Sequence, residues 1–230
     1  MKSVCGYGLA IHTASPELGL AIDNFAGDRR SQTWKLERET SNLLHSYLVD
    51  FLQPQSWQDL EFIAVAKGPG GFTGTRIGVV TARTLAQQLD IPLFAISTLA
   101  GVAWDMGKKL ATPEADIAVQ MPARRGEFFC AVYRLKLIED VQPYESHGSA
   151  ASSIPPVTIE AILPDQVRTL DDWQAVLTEW NRSYQPVELD EGASASVMSI
   201  LEIAYRRWLA GDRPHWSEAL PFYGQHPVRA

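Results

Sequence analysis

Only two cysteines, Cys5 and Cys130, occur in the 230 residues, both in apolar, strand-like runs. A disulfide framework is therefore disfavoured, and buried free thiols are expected. No stretch approaches the roughly 20 apolar residues of a membrane span. The start, MKSVCGYGLAIHT, lacks a signal-peptide cleavage pattern and reads as a first core strand, so a cytoplasmic address is expected. Basic charge is also scarce: 20 Lys and Arg stand against 27 Asp and Glu, for a net charge of −7. The pairs Arg29-Arg30, Arg124-Arg125 and Arg206-Arg207 make no long basic tract, which disfavours unaided binding to a polyanion. The five histidines, at 12, 45, 147, 215 and 226, include no pair three or four apart. Zinc or iron then has no local scaffold, and no metal is expected. No Gly-x-Ser-x-Gly elbow appears either.

What is present suits a packed core: 46% of residues are hydrophobic and seven are tryptophan. Apolar runs at 6–13, 18–23 and 31–36, with a turn at Ser15-Pro16-Glu17, predict a meander of three strands. A helix follows, capped by Thr40 or Ser41. Its Leu43, Leu44, Tyr47, Leu48, Phe51 and Leu52 fall on one face. A strand at 62–66, a helix at 73–89, a strand at 93–97 and a helix opened by Ser97 or Thr98 complete an alternating series. The break at 108–114 separates a first lobe, 1–110, from a second, 111–230. There, strands at 117–121 and 127–136 flank the turn Ala123-Arg124-Arg125-Gly126, as if the opening of the first half were repeated. Residues 142–158, rich in proline and small residues, predict a surface loop. A helix starting at Asp171 or Asp172 runs through Trp180, another spans 194–209, and the proline-bearing tail from His215 is not helical.

The densest local signal is KGPGGFTGTRIG, Lys67 to Gly78, a glycine-loaded loop running from a strand into a helix. Within it Gly68, Pro69, Gly70, Gly71, Phe72 and Thr73 form a candidate site. Glycines there permit positive φ or close backbone approach, and the first helical amides lack intrahelical partners. An anion or a partner carbonyl fits such a loop, and so does a tight structural turn. A phosphate loop would need Lys-Ser/Thr after the last glycine, but Thr75 and Arg76 follow Gly74. A dinucleotide loop would need glycine at Thr73. His12 stands where the first strand leaves the core, beside Thr13 and Ser15, polar groups able to face a cleft.

On the helix at 73–89, Gly74, Gly78, Ala82 and Ala86 recur every fourth residue. Such a ridge of small side chains lets a second helix approach closely. Either that helix belongs to a partner or the ridge packs on the chain's own sheet. The first reading predicts that Gly78→Leu breaks association and leaves the monomer folded.

The segments LAIHTASPELGLAI, ETSNLLHSYLVDFL, GPGGFTGTRIGVVTARTLA, IPLFAISTLAGVA and PARRGEFFCAVY, in that order, resemble the TsaB family, formerly called YeaZ. The likeness covers residues 8 to 135 strongly, and the ending LPFYGQHPV looks like that family's closing proline-tyrosine strand. It implies an α/β, actin-like ATPase (ASKHA, ribonuclease H-like) fold of two related lobes of mixed sheet and helices, with the last helix docking back on the first lobe. It implies a non-catalytic scaffold that binds TsaD, the subunit transferring threonylcarbamoyl to transfer-RNA adenosine next to the anticodon. TsaE, an ATPase, joins the same complex. Transfer RNA would be met only through that complex, ATP or ADP is possible at the shared interface, and the chain alone would hold no cofactor. The interface implied lies on the first two helices, at Leu44, Tyr47, Gly74, Arg76, Gly78 and Ala82.

Two departures bear on nucleotide chemistry. Where the family commonly has Ile-Asp-Thr and Asp-Ala-Arg, this chain has Ile11-His12-Thr13 and Pro122-Ala123-Arg124. Loss of both carboxylates removes the charge that holds a metal and its water around phosphates. The competing expectations are a stand-alone ATPase or peptidase, and a self-associating module that forms a homodimer when its partner is absent.

Overall fold

The computed structural model describes residues 6–110, 115–138, 157–189 and 193–224. The first sheet begins with the expected meander, β1 (Tyr7–His12), β2 (Glu17–Asp23) and β3 (Arg29–Lys35). Helix α1 (Thr40–Leu52), β4 (Leu60–Ala66), α2 (Phe72–Leu89) and β5 (Leu93–Ile96) follow, giving the strand order β3-β2-β1-β4-β5. After α3 (Thr98–Gly107) comes a second sheet. Its strands are β6 (Asp116–Pro122), β7 (Glu127–Leu137), β8 (Val157–Thr169) and β9 (Tyr184–Glu188), in the order β8-β7-β6-β9. Helix α4 (Leu170–Thr178) precedes β9, and α5 (Val197–Leu209) follows it.

The second sheet repeats the first. In each, three strands form an antiparallel meander and a later strand lies parallel to the first of them, β4 beside β1 and β9 beside β6. Strand alternation sends the two sets of side chains to opposite faces. On β4, Ile63 and Val65 join Leu44, Leu48, Val79 and Ala82 beneath α1 and α2. Phe62, Ala64 and Ala66 face the other way, into a core shared with α3, α5 and the inner face of the second sheet. Helix α3 lies between the sheets, which is why residues 98–104 are all buried; a helix apolar all round has to be enclosed. The outer face of the second sheet packs Ala118, Cys130 and Val132 on Trp173 of α4.

Several boundaries differ from expectation. Neither Thr40 nor Ser41 caps α1, which is entered through a 3-10 turn at Glu37–Glu39; Thr40 Oγ1 instead donates to the Glu37 carbonyl at 3.1 Å. Helix α4 is capped by Thr169, whose Oγ1 accepts from Asp172 N, rather than opened at Asp171 or Asp172. Of the surface loop expected at 142–158, residues 142–156 lie outside the described residues, while Val157 and Thr158 begin β8. Residues 194–196 belong to a 3-10 turn, so α5 starts at Val197. Of the tail, 225–230 lie outside the described residues.

One buried carboxylate joins three elements. Glu202 of α5 is 2% exposed and accepts from Arg29 Nη2 of β3 at 2.5 Å, from Trp104 Nε1 of α3 at 2.6 Å and from Lys108 Nζ at 2.6 Å. Glu202→Gln keeps the shape and removes the charge from two ion pairs whose cations are partly solvated. The expected loss is about 2 kcal/mol. That corresponds to a melting point on the order of 6 °C lower, read by thermal unfolding.

Candidate functional site

The glycine loop lies where β1, β4, α2 and α3 meet, and its own chain occupies it. Gly71 N–H donates to the Ala14 carbonyl at 2.7 Å, and the Gly68 carbonyl accepts from Thr98 N–H at 2.9 Å. The Lys67 carbonyl accepts from Phe222 N–H at 2.7 Å. A partner carbonyl does use the loop, and it is Ala14's. Gly68 has φ +93°, a left-handed conformation that favours glycine.

The small-residue ridge is also turned inward, which corrects the expectation of a partner helix lying over it. A Cβ on Gly74 would stand 2.1 Å from the Thr13 carbonyl oxygen, and one on Gly78 would stand 2.2 Å from Thr13 Oγ1. Thr13 Oγ1 donates to the Gly74 carbonyl at 2.7 Å, so α2 lies directly on the end of β1. Leu44 and Ala82 are fully buried against the first sheet and do not present a surface. The small residues are there for a close helix-to-strand approach.

Tyr47 and Arg76 remain accessible. Tyr47 is half-buried, with its ring 4.9 Å from that of Trp34, and the exposed Arg76 places its guanidinium 5.2 Å from the Phe72 ring. The helix faces also show two residues that the apolar pattern did not single out. Val49 of α1 and Val80 of α2 are 50% and 59% exposed. Leu43 and Ile77 on the same helices are half-buried. The signal was present in the sequence, since a valine off the core-facing row of an amphipathic helix has no place in the chain's own core.

His12 does not face a cleft. Its side chain is fully buried on the α5 side of the sheet, beside Gly19, and neither ring nitrogen has a hydrogen-bond partner. Complete desolvation lowers its pKa to about 4, so the imidazole is neutral at neutral pH and cannot stand in for a carboxylate. Thr13, beside it, is committed to α2.

A polar group links the two sheets next to the loop. Tyr133 Oη of β7 donates to Asp165 Oδ1 of β8 at 2.5 Å, and Ser97 and Lys67 also act on that carboxylate. Burial raises the Asp165 pKa against the opposing effect of these partners. Ser97 meanwhile caps α3, accepting from Leu99 N at 3.1 Å and Ala100 N at 3.3 Å. Asp116 lies elsewhere, at the start of β6. Its burial is outweighed by Arg134, Trp180 and Arg182, which hold it below the usual carboxylate range. Among the described residues, no group of three His, Cys, Asp or Glu side chains is placed to hold a metal ion, and no helix is long and apolar enough to cross a membrane.

Residues 52–143 match the family model described as TsaD, tRNA N6-adenosine threonylcarbamoyltransferase. The chain is similar to the Bacillus subtilis (strain 168) protein named tRNA threonylcarbamoyladenosine biosynthesis protein TsaB. The two are 38% identical over 178 residues, covering 76% of this chain and 67% of the relative. The Escherichia coli (strain K12) protein of the same name is 31% identical over 128 residues, covering 55% of this chain and 54% of the relative. Among solved structures, a Pseudomonas aeruginosa protein described as similar to peptidase YEAZ superposes with a TM-score of 0.69 at 20% identity. It covers 96% of this chain and 100% of that one. A likeness at that identity speaks to the fold alone, a mixed α/β arrangement of two sheets with helices.

Proposed function

The chain belongs to the TsaB family of tRNA threonylcarbamoyladenosine biosynthesis proteins, and from that premise we propose that it is a non-catalytic subunit that binds and orients a TsaD-like catalytic subunit. The observation that carries this reading is the outward surface of α1 and α2. Val49 and Val80 stand half exposed or more, with half-buried Ile77 beside Val80, on two helices that touch each other and whose core-facing sides are fully packed. Large apolar side chains exposed on adjoining helices are the kind of surface a partner covers. Arg76, on the same face of α2 as Val80, supplies a polar rim.

The glycine loop supports the non-catalytic part of the reading. Phosphate loops grip oxygens with free backbone amides, whereas here Gly71 N–H is already committed to Ala14, and Gly70 and Gly74 are pressed against Ala14 and Thr13. The neutral, buried His12 adds no anion for a metal. A TsaE-like ATPase completes the assembly, transfer RNA is met through the complex, and the place for ATP or ADP is where subunits meet. The net charge of −7 accords with RNA being held by another chain.

The test is Val80→Asp, which places a carboxylate at the middle of the proposed contact. Because Val80 is 59% exposed, the substitution leaves the melting point of the isolated chain within about 1 °C. Affinity for a TsaD-like subunit, measured by titration calorimetry, falls at least tenfold, since a charge left unpaired in an apolar contact costs roughly 1.4 kcal/mol or more. Unchanged affinity would remove this face of α2 from the interface.

A further inference from the structure

Strand β5 is an edge strand of the first sheet; among the described residues the C-terminal segment makes one backbone hydrogen bond to it and a second to Lys67, just past the end of β4. Leu93 N–H donates to the Pro214 carbonyl at 3.2 Å, and Phe222 N–H donates to the Lys67 carbonyl at 2.7 Å. Between these two bonds the segment passes through the 3-10 turn Trp216–Glu218, which packs Trp216 and Ala219 against the core under α2. The carbonyls of Pro92 and Ile96 accept from Ile63 and Lys67, so they point toward β4. By strand alternation, the N–H and C=O of Ala95 share the outward direction of Leu93 N–H. Neither group of Ala95 has a backbone partner outside the sheet among the described residues.

Ala95 lines a cavity of about 220 Å³ together with Lys67, Arg207 and Glu218, over an apolar wall that includes Leu93 and Ala219. Lys67 and Glu218 form no ion pair with each other. Arg207 is steadied by Asp212, with Nε 2.9 Å from Oδ2, leaving its two terminal nitrogens for a ligand. One small space therefore offers a main-chain donor and two cations beside a main-chain acceptor and a carboxylate.

That combination selects its ligand. A free phosphate would bring its negative charge against the Glu218 carboxylate and the Ala95 carbonyl oxygen, where like charges repel. An extended peptide would need more free strand edge than one residue. A nucleotide is too large for a cavity below the roughly 300 to 1,000 Å³ that drug-sized ligands occupy. We propose that the cavity beside Ala95 binds a small zwitterion, a free α-amino acid, with its carboxylate on Lys67, Arg207 and Ala95 N–H and its ammonium on Glu218 and the Ala95 carbonyl. The site lies on the sheet edge, separate from the outward face of α1 and α2, and does not depend on the partner reading.

The experiment is a titration of the isotopically labelled full chain with L-alanine and L-serine, followed at the Ala95 amide by NMR. Both amino acids give a saturable shift. N-acetyl-L-alanine amide, which lacks both charges, gives none, and inorganic phosphate gives none. Glu218→Gln alters an exposed side chain and weakens binding at least tenfold without changing the melting point, and Lys67→Gln weakens it similarly. Absence of a saturable shift with either amino acid would overturn the assignment, as would undiminished binding in Glu218→Gln. Saturation by phosphate alone would make the cavity an anion site and overturn it equally.

Discussion

Gly78→Leu is expected to lower the stability of the isolated chain by about 3 kcal/mol. The first atom of the new side chain would stand 2.2 Å from Thr13 Oγ1, and three more heavy atoms follow. Overpacking of this kind costs roughly 1 to 3 kcal/mol, and the severity of the contact puts it at the upper end. Relief requires Thr13 to turn away, which breaks its bond to the Gly74 carbonyl and adds about 1 kcal/mol. Replacing a helical glycine by leucine returns close to 1 kcal/mol in helix propensity, too little to offset the rest. For a chain of this size the melting point falls on the order of 10 °C. Val80→Ala on the outer face of the same helix is the control and stays within about 0.5 kcal/mol of the parent. An unchanged melting point for Gly78→Leu would mean that α2 does not rest on Thr13.

The second large effect is on acid stability. His12 is held at a pKa of about 4 by complete burial, against an ordinary value near 6.5 in the unfolded chain. A folded-state pKa below the unfolded one means that the unfolded chain binds the proton more readily. The contribution is fully present above about pH 6.5 and is lost as the pH falls through that window toward 4. A separation of about 2.5 units corresponds to about 3 kcal/mol. Urea unfolding at pH 7 and pH 4 reads it, with His12→Leu as the comparison. Leucine carries no titrating group, so the variant should lose about 3 kcal/mol less between the two pH values than the parent does. Parallel losses in the two proteins would show that His12 is solvated or hydrogen-bonded in the folded chain.

Much of the first half was legible because its local signals agree with its tertiary surroundings. The meander, the strand at 62–66 and the amphipathic face of α1 all follow from apolar spacing, and the glycine loop was recognisable as a strand-to-helix junction. What no spacing disclosed is the identity of the group those glycines approach. Thr13 precedes Gly74 by 61 residues, and only the parallel pairing of β1 with β4 brings the two together. A small-residue ridge looks the same whether a partner or the chain's own strand lies on it.

The second half hid two strands for a different reason. Strand β8 contains Pro164 and Asp165, and its pairing with β7 shifts register around Cys130 and Val132, which breaks the alternation that would have marked it. Strand β9 carries Pro186 in a run of five residues, a pattern that argues against a central strand but is tolerated at a sheet edge, where β9 lies. His12 misled for a related reason. Its polar neighbours Thr13 and Ser15 suggested a cleft, yet Gly19 on the paired strand lets the Ser194–Val197 segment close over that end of the sheet, and the imidazole is sealed beneath it.

The proposed role places the chain's contribution in a surface rather than in a reaction centre, and that difference can be read in one assay. Threonylcarbamoylation of transfer RNA would be measured with a purified TsaD-like subunit and a TsaE-like ATPase, with the chain omitted, with the parent chain, and with Val80→Asp. The account predicts modification only when the chain is present, and a loss of at least tenfold with Val80→Asp at subunit concentrations below the parent affinity. Full modification without the chain, or an undiminished rate with Val80→Asp, would contradict it.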